Sequence, residues 1–283
     1  MSNQTFSRVG QTIICDTGSG FLNYEVIDLT PPWREPVDTL VFCHGVGTDS
    51  NVWSDWLPVL ASDFRLVRFD TRGFGLSVSC GSPASWTLER FADDIVAVAA
   101  AAGAQRFHLV GESFGGTASL HLAARADSPV LTLTCVSTAH RGSGIELVRR
   151  WRDELRLRGM QAWSDEMMDR RFHAGVLSGA HREWFATTQA ACEPQALLAV
   201  GELLVDTNLT AELSNIAAPT LLLTPDGSPF VTVDLSNQIK QQVPFCELAV
   251  FPGARHGLVF SHADECAAAM RAFARRVVAA ANC

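Results

Sequence analysis

Short runs of apolar residues alternate along the chain with longer amphipathic segments. Most of the short runs are almost continuously apolar, which is typical of parallel strands buried on both faces. The strands predicted in this way are residues 39–43, 66–69, 107–110, 130–136, 220–223 and 247–251. Two further runs near the N-terminus, 12–15 and 22–27, flank a glycine-containing turn and predict an antiparallel hairpin.

Helical patterns lie between the predicted strands, over about 88–102, 117–126 and 233–241, with a last helix over 263–281. This alternation predicts an α/β fold, a doubly wound and mostly parallel sheet with helices on both faces. The alternation breaks between residues 141 and 206, where no strand-like run occurs. A helical cap insertion over the carboxyl edge of the sheet is the most economical interpretation. The predicted organisation is a core of residues 1–140 and 207–283 and a cap of residues 141–206.

Composition narrows the classes of function. The chain has 283 residues, 47% of them hydrophobic, which is enough for one large core. A net charge of −8 without a basic tract disfavours nucleic acids and anionic membranes as partners. The first ten residues lack the apolar segment of a signal peptide, and the longest apolar run is too short to span a membrane. We therefore expect a cytoplasmic monomer or homodimer that acts on a small molecule and water.

The eight cysteines form no C-x-x-C pair and match no zinc-binding spacing. Several of them lie inside apolar runs, where a free cysteine behaves as a small hydrophobic residue. We expect reduced structural thiols and no metal.

The sequence Gly111-Glu-Ser-Phe-Gly115 is a G-x-S-x-G motif that follows a predicted strand and precedes a helical segment. This strand–turn–helix context is the one required by a nucleophile elbow, in which a strained turn exposes the serine oxygen. We predict that Ser113 is a nucleophile. The alternative is a glycine-rich turn with an idle serine.

A serine hydroxyl needs a base to become a good nucleophile. His256 follows the last predicted strand and precedes the last helix, at the edge where open α/β sheets bind ligands. A third residue should orient the histidine and stabilise its cation, and Asp226 follows the predicted strand 220–223. Asp-Gly is also a common turn dipeptide, so Asp234 is kept as a second candidate for the acid. The backbone amides of Val46 and Phe114 are the predicted oxyanion hole.

Four motifs resemble the α/β-hydrolase fold family over nearly the whole chain, in the order Ser, Asp, His. They are His44-Gly45, the turn 70–77, the segment 111–116 and the segment 253–257. Within that superfamily the chain is most similar to the 3-oxoadipate enol-lactonases, through segments 47–53, 70–73 and 137–140. The resemblance implies hydrolysis of an ester or lactone through an acyl-enzyme, without a metal or organic cofactor.

The loop that should carry the acid departs from this family. Relatives usually have a pattern like G-x-x-D-P after the strand, and the equivalent position, counted back from Pro229, is Ser228. Asp226 lies two positions earlier. Either the loop is repositioned so that Asp226 reaches His256, or the triad is weakened.

Enol-lactonase substrates, which belong to aromatic catabolism, carry a free carboxylate that arginine would bind best. Residues near the end of a core strand and in the cap are the candidate substrate contacts, namely His140, Arg141, Arg149 and Trp151. The arginines of the cap also fit a solvated charged face.

Two other functions stay open. A C–C bond hydrolase of aromatic ring-cleavage products would use the same triad. A non-catalytic ligand-binding protein becomes credible if Asp226 cannot reach His256. For an enzyme, activity should fall as the pH drops through the pKa of an ordinary histidine, about 6.5.

Overall fold

The computed structural model describes residues 13–18, 20–34, 36–79, 82–142 and 146–281. Within these ranges the chain forms one sheet of nine strands. The strands are β1 (Ile13–Asp16), β2 (Gly20–Ile27), β3 (Thr39–Cys43), β4 (Arg65–Phe69), β5 (Val78–Ser79), β6 (Phe107–Glu112), β7 (Val130–Val136), β8 (Thr220–Pro225) and β9 (Cys246–Phe251).

The order across the sheet is β1-β2-β4-β3-β6-β7-β8-β9, and β5 pairs with β2. The six strands β3, β4, β6, β7, β8 and β9 are parallel. Strand β2 is antiparallel to its neighbours β1, β4 and β5. The predicted mostly parallel sheet with an antiparallel N-terminal edge is therefore confirmed. Residue Thr12, where the predicted hairpin begins, lies outside the described residues.

Helices cover both faces of the sheet. They are α1 (Leu57–Leu60), α2 (Leu88–Ala101), α3 (Phe114–Ala123), α4 (Glu146–Arg149), α5 (Trp151–Arg171), α6 (Gly179–Ala190), α7 (Pro194–Asp206), α8 (Val233–Gln242), α9 (Leu258–Ser261) and α10 (Ala263–Ala281). Helices α2, α3 and α8 contribute to the core on one face, and α1, α9 and α10 to the core on the other.

Alternation along the central strands explains their continuous apolar runs. In β3, Val41 and Cys43 belong to the core on the α2–α3 side, whereas Leu40 and Phe42 belong to the core on the α10 side. Successive side chains of a strand point to opposite faces, so a sheet covered on both sides requires apolar residues at every position.

Helices α4 to α7 occupy the segment between β7 and β8 in which the sequence predicts a cap. Among the described residues of this segment, the one strand-like contact is an isolated bridge between Arg141 and Asn208, where the chain leaves the sheet and returns to it. Gly159 has a φ of 78° and interrupts the helical backbone of α5. Helix α5 is therefore two helical pieces joined at a kink.

No helix in the described ranges combines the length and the apolar character needed to cross a bilayer. Six cysteines fall within these ranges and all are free thiols, whereas Cys80 and Cys283 lie outside the description. The described residues contain no cluster of His, Cys, Asp and Glu side chains suited to a metal ion.

Candidate active site

Ser113 lies at the turn between β6 and α3 with φ +53° and ψ −118°. Positive φ is uncommon for a residue with a side chain, and such strain persists only where the surroundings enforce it. The flanking glycines allow this turn, since a Cβ at Gly115 would collide with the carbonyl oxygen of Cys43 and one at Gly111 with the Ser119 hydroxyl. The amide of Ser113 donates to the Val136 carbonyl at 2.9 Å. The turn is thereby fixed to β7.

His256 lies in the loop between β9 and α9, and its Nε2 is 3.0 Å from the hydroxyl oxygen of Ser113. The loop is held on both sides of the histidine. The amide of Gly227 donates to the Ala254 carbonyl at 2.9 Å, and the amide of Gly257 donates to the Arg171 carbonyl at 3.0 Å. The structure therefore brings together the predicted nucleophile and the predicted base.

The third position of this arrangement is occupied by Ser228. Its hydroxyl oxygen lies 3.0 Å from Nδ1 of His256 and is buried. The Asp226 carboxylate instead accepts the amide of Gly253 at 2.7 Å and forms no hydrogen bond with His256 within the described chain.

The expectation that Asp226 contacts the histidine is therefore wrong in this geometry. Asp226 follows β8 directly and is used by the neighbouring turn, and the loop needs two more residues to reach the imidazole. The second candidate, Asp234, lies in the first turn of α8 and has no bond to His256 among the described contacts.

The electrostatic surroundings of His256 favour its neutral form. Burial, and then the positive charge of Arg171, lowers the pKa of His256 to about 3. No carboxylate is hydrogen-bonded to the ring in the described part of the chain to oppose these effects. The pKa therefore lies well below the value of about 6.5 expected for an ordinary histidine.

A narrow and mostly apolar cavity opens beside Ser113 and His256. Trp151 of α5 and Leu204 of α7 line it from the segment between β7 and β8, and Phe230 lines it from the loop after β8. An apolar cavity with a few convergent polar groups is the usual form of a small-molecule site.

Arg171, the last residue of α5, also lines this cavity and is only 6% exposed. Its Nη2 donates to the Val46 carbonyl at 2.7 Å, and its guanidinium lies 5.3 Å from the centre of the Phe185 ring. Its Nε has no hydrogen-bond partner, and it forms no ion pair with any carboxylate of the described chain. A buried guanidinium with an unused donor in a ligand cavity is suited to an anion.

The carboxyl group of Glu112 interacts electrostatically with the guanidinium of Arg171. Glu112, next to the nucleophile, is buried, and its Oε2 has no hydrogen-bond partner. Burial raises the pKa of Glu112 to about 7, although the positive charge of Arg171 opposes this shift. Near neutral pH, Glu112 is therefore divided between its acid and its carboxylate.

The sequence did not single out Arg171. The segment between β7 and β8 carries many arginines, and only the fold determines which of them turns inward. Its neighbour Arg170 is paired with Glu166.

The loop after β3 supplies one half of the predicted oxyanion hole. Nε2 of His44 accepts the amide of Thr71 at 2.9 Å, so the proton is on Nδ1, which lies 2.8 Å from the Gly45 carbonyl. The buried histidine thus fastens the loop to the turn that follows β4. The amide of Val46, which lines the cavity, has no backbone acceptor among the described residues.

Phe114 supplies the other half. It begins helix α3, and first-turn amides of a helix have no intrahelical acceptor. Both amides are thus available in the way that the predicted oxyanion hole requires.

The predicted substrate contacts are distributed unequally. Trp151 lines the cavity, and its indole N–H has no partner. His140 is buried without lining the cavity, and burial together with the charge of Arg141 lowers its pKa to about 4. Arg141 bridges to Asn208, and Arg149 borders a different cleft between α4, α5 and α7. The structure therefore brings one of these four residues to the cavity.

Comparisons with known proteins agree with this architecture. The model of the alpha/beta hydrolase fold family matches residues 38–192. A putative carbamate hydrolase RutD of Pantoea ananatis is 27% identical over 222 residues, covering 74% of this chain and 78% of that protein. A pimeloyl-(acyl-carrier protein) methyl ester esterase of Vibrio atlanticus is 25% identical over 251 residues, covering 84% and 94%.

Among solved structures, the enol-lactonase from Burkholderia xenovorans LB400 is similar in fold. Its TM-score is 0.83 at 22% identity, and the match covers 91% of this chain and 97% of that chain. The resemblance noted in the sequence motifs is thereby confirmed at the level of the fold.

Proposed function

The chain belongs to the α/β-hydrolase fold family, and we propose that within this family it is a serine hydrolase that cleaves an ester or lactone bond of a small substrate. Ser113 is the nucleophile and His256 is the base. The observation that carries the proposal is the 3.0 Å contact between Ser113 Oγ and His256 Nε2, at a strained elbow beside a narrow cavity.

The proposed reaction proceeds in two halves. Ser113 Oγ attacks the acyl carbonyl while its proton passes to Nε2 of His256, and the amides of Val46 and Phe114 stabilise the oxyanion. The histidine then gives this proton to the leaving oxygen. Water attacks the acyl-enzyme with its proton passing to the same nitrogen, and the acid is released as Ser113 regains a proton.

Arg171 supports a substrate that carries a carboxylate. Its unpartnered Nε and its burial in the cavity wall provide a charged donor within the same pocket as the nucleophile. The relatives named as a carbamate hydrolase, a methyl ester esterase and an enol-lactonase support cleavage at an acyl carbon without selecting one substrate.

A second candidate function is a ligand-binding protein that keeps the hydrolase fold without turnover. The observation that favours it is the hydroxyl of Ser228 at Nδ1 of His256, where a carboxylate would stabilise the imidazolium. Without that charge the histidine is a weak base.

Intact-mass measurement after exposure to a fluorophosphonate probe tests the proposed hydrolase. We expect one adduct on the wild type, none on Ser113→Ala and much slower labelling of His256→Ala. The control variant Ser85→Ala removes an exposed hydroxyl that donates to the Ser82 carbonyl, and it should be labelled like the wild type. A p-nitrophenyl acetate burst provides a smaller probe for the narrow cavity. Folded protein that reacts with neither probe would favour the ligand-binding function.

A further inference from the structure

We infer that Ser228 holds His256 in the tautomer whose proton is on Nε2, so that the resting imidazole donates to Ser113 instead of accepting from it. The inference concerns the same site as the proposed function and rests on it for its catalytic meaning. It makes Ser228 a positioning residue, because it contacts the base and not the reacting atoms.

The argument begins with the hydrogen bonds that Ser228 already makes. Its Oγ accepts the amide of Phe230 at 3.2 Å and the amide of Val231 at 3.1 Å. A serine hydroxyl has two acceptor lone pairs and one donor hydrogen. Both acceptor positions are therefore used, and the donor hydrogen remains.

Nδ1 of His256, at 3.0 Å, is the one further polar atom bonded to this oxygen among the described residues. Ser228 O–H therefore donates to Nδ1. In a neutral imidazole one nitrogen carries the proton and the other accepts, so the proton of His256 is on Nε2.

The opposite tautomer leaves the hydrogen bonds incomplete. If Nδ1 carried the proton, three N–H groups would point at the two lone pairs of Ser228 Oγ, and the Ser228 hydrogen would lack an acceptor in the described chain. Buried polar groups are rarely left in that condition. An aspartate at position 228 would reverse this situation, since an ionised carboxylate only accepts hydrogen bonds and would fix the proton on Nδ1.

This tautomer has a direct consequence for Ser113. Nε2 already carries a proton and has no free lone pair, so in this tautomer it cannot accept the proton of the Ser113 hydroxyl. Catalysis must therefore proceed through a minor population in which the proton has moved to Nδ1. In a Ser-His-Asp triad, loss of the correct tautomer reduces kcat by about 10⁴-fold.

The same tautomer also affects what the resting site binds. The Ser113 hydroxyl accepts from Nε2–H of His256, so its own hydrogen is free to donate, and the guanidinium of Arg171 lies at the same cavity. These two donors suit an anionic oxygen, so the resting site is suited to binding a carboxylate.

Nitrogen-15 NMR of histidine-labelled protein measures the tautomer directly. Two-bond proton–nitrogen correlations, with the His256 signals assigned by their loss in His256→Gln, should place the proton on Nε2 in the wild type. In Ser228→Asp the proton should move to Nδ1, and fluorophosphonate labelling should become about 10- to 1,000-fold faster.

Two variants control for charge and for the hydroxyl. Thr232→Asp adds the same charge four residues away, at the exposed residue that caps α8, where aspartate is also a good cap, and should leave both tautomer and labelling rate unchanged. Ser228→Ala removes the donor that holds the proton on Nε2, so the productive tautomer should be more populated and labelling should be faster than in the wild type. A tenfold fall in that variant would mean that the hydroxyl supports the productive tautomer, which overturns the inference.

The two claims fail in different ways. A wild-type proton on Nδ1, together with rapid labelling of Ser113, would overturn the tautomer and leave the hydrolase standing. A wild-type proton on Nε2 with no labelling of any variant, Ser228→Asp included, would support the tautomer and overturn the hydrolase.

Discussion

The carboxylate of Asp226 accepts a hydrogen bond from the amide of Gly253 at 2.7 Å, and in doing so joins the end of β8 to the turn after β9. Gly253 has a φ of 73°, so this turn depends on a left-handed backbone. Asp226 therefore has a structural task in the loop that carries His256, while the contact with the imidazole belongs to Ser228.

Replacing Asp226 should consequently have a small effect on chemistry. We expect Asp226→Asn, which keeps an acceptor oxygen, to be labelled by a fluorophosphonate within about threefold of the wild-type rate, and to unfold with a loss of about 1 kcal/mol. Labelling kinetics and urea denaturation measure the two effects. A hundredfold slower reaction in the folded variant would return Asp226 to the catalytic machinery.

The labelling rate of Ser113 should not show the fall near pH 6.5 that protonation of an ordinary histidine causes. The base must be neutral to accept a proton, and burial with the charge of Arg171 lowers the pKa of His256 to about 3. Labelling of Ser113 should therefore stay nearly constant from pH 8 to pH 5, where an ordinary histidine with a pKa of about 6.5 would already be mostly protonated. The rate is measured across this range, with circular dichroism to confirm that the fold is retained.

In Ser228→Asp the carboxylate stabilises the imidazolium and raises the pKa of His256. The fall of the labelling rate at acidic pH should therefore begin at a higher pH than in the wild type. A wild-type rate that halves near pH 6.5 would contradict the low pKa of His256.

Arg171 should determine selectivity for charged substrates. We expect Arg171→Met to lower kcat/KM for a carboxylate-bearing ester by about 10- to 100-fold, because a hydrogen bond to a charged group contributes about 1.5–3 kcal/mol. The matching methyl diester, which has no charge, should be much less affected. Initial rates with the two substrates give the ratio.

The neighbouring residue provides a matched control. Arg170→Met removes the same side chain from a position where it pairs with Glu166, and should leave the ratio of the two substrates unchanged. Arg171→Lys keeps the charge without the planar fork and should recover part of the selectivity. Equal losses on both substrates in Arg171→Met would indicate that the side chain only supports the fold.

Glu112 should destabilise the folded protein at alkaline pH. Burial raises its pKa in the folded state to about 7, above its ordinary value of 4.5, so the folded state retains a proton that the unfolded state loses between these values. Stability contributed in this way is present below pH 4.5 and is lost as the pH rises through 7. Glu112→Gln should therefore be more stable than the wild type at pH 8, by up to about 3 kcal/mol, with little difference at pH 5.

Thermal denaturation at the two pH values measures this difference. The control variant Glu183→Gln changes an exposed residue, and its stability relative to the wild type should be the same at pH 5 and pH 8. A Glu112→Gln variant that is less stable at both values would mean that the carboxylate is needed by its surroundings.

Much of the fold could be predicted because burial on two faces leaves a strong signal. The apolar run predicts a strand over residues 130–136, and β7 has the same bounds. The pattern predicts the start of α3 at residue 117, three residues after its observed start at Phe114. This helix begins directly after the strained nucleophile, Ser113 makes no capping hydrogen bond, and glycines follow, so the usual signals of a helix start are missing.

The nucleophile and the base of the candidate site could be predicted, because the ends of strands determine where they lie. Ser113 directly follows β6 and His256 lies in the loop after β9, and parallel strands bring their carboxyl ends to the same edge. The choice between Asp226 and Ser228 depends on the path of a loop, which periodicity does not describe. The position of Arg171 in the cavity depends on the orientation of the kinked helix α5. No local sequence pattern distinguishes Arg171 from the arginines around it.

One residue at the end of α5 is bonded to both loops of the catalytic edge. The Arg171 side chain donates to the Val46 carbonyl, and its own carbonyl accepts the amide of Gly257, next to His256. Any outward movement of this end of the helix would break both contacts at once. The end of α5 is thus mechanically coupled to the loops that carry Val46 and His256, so a displacement of Arg171 would be transmitted to both sides of Ser113 together.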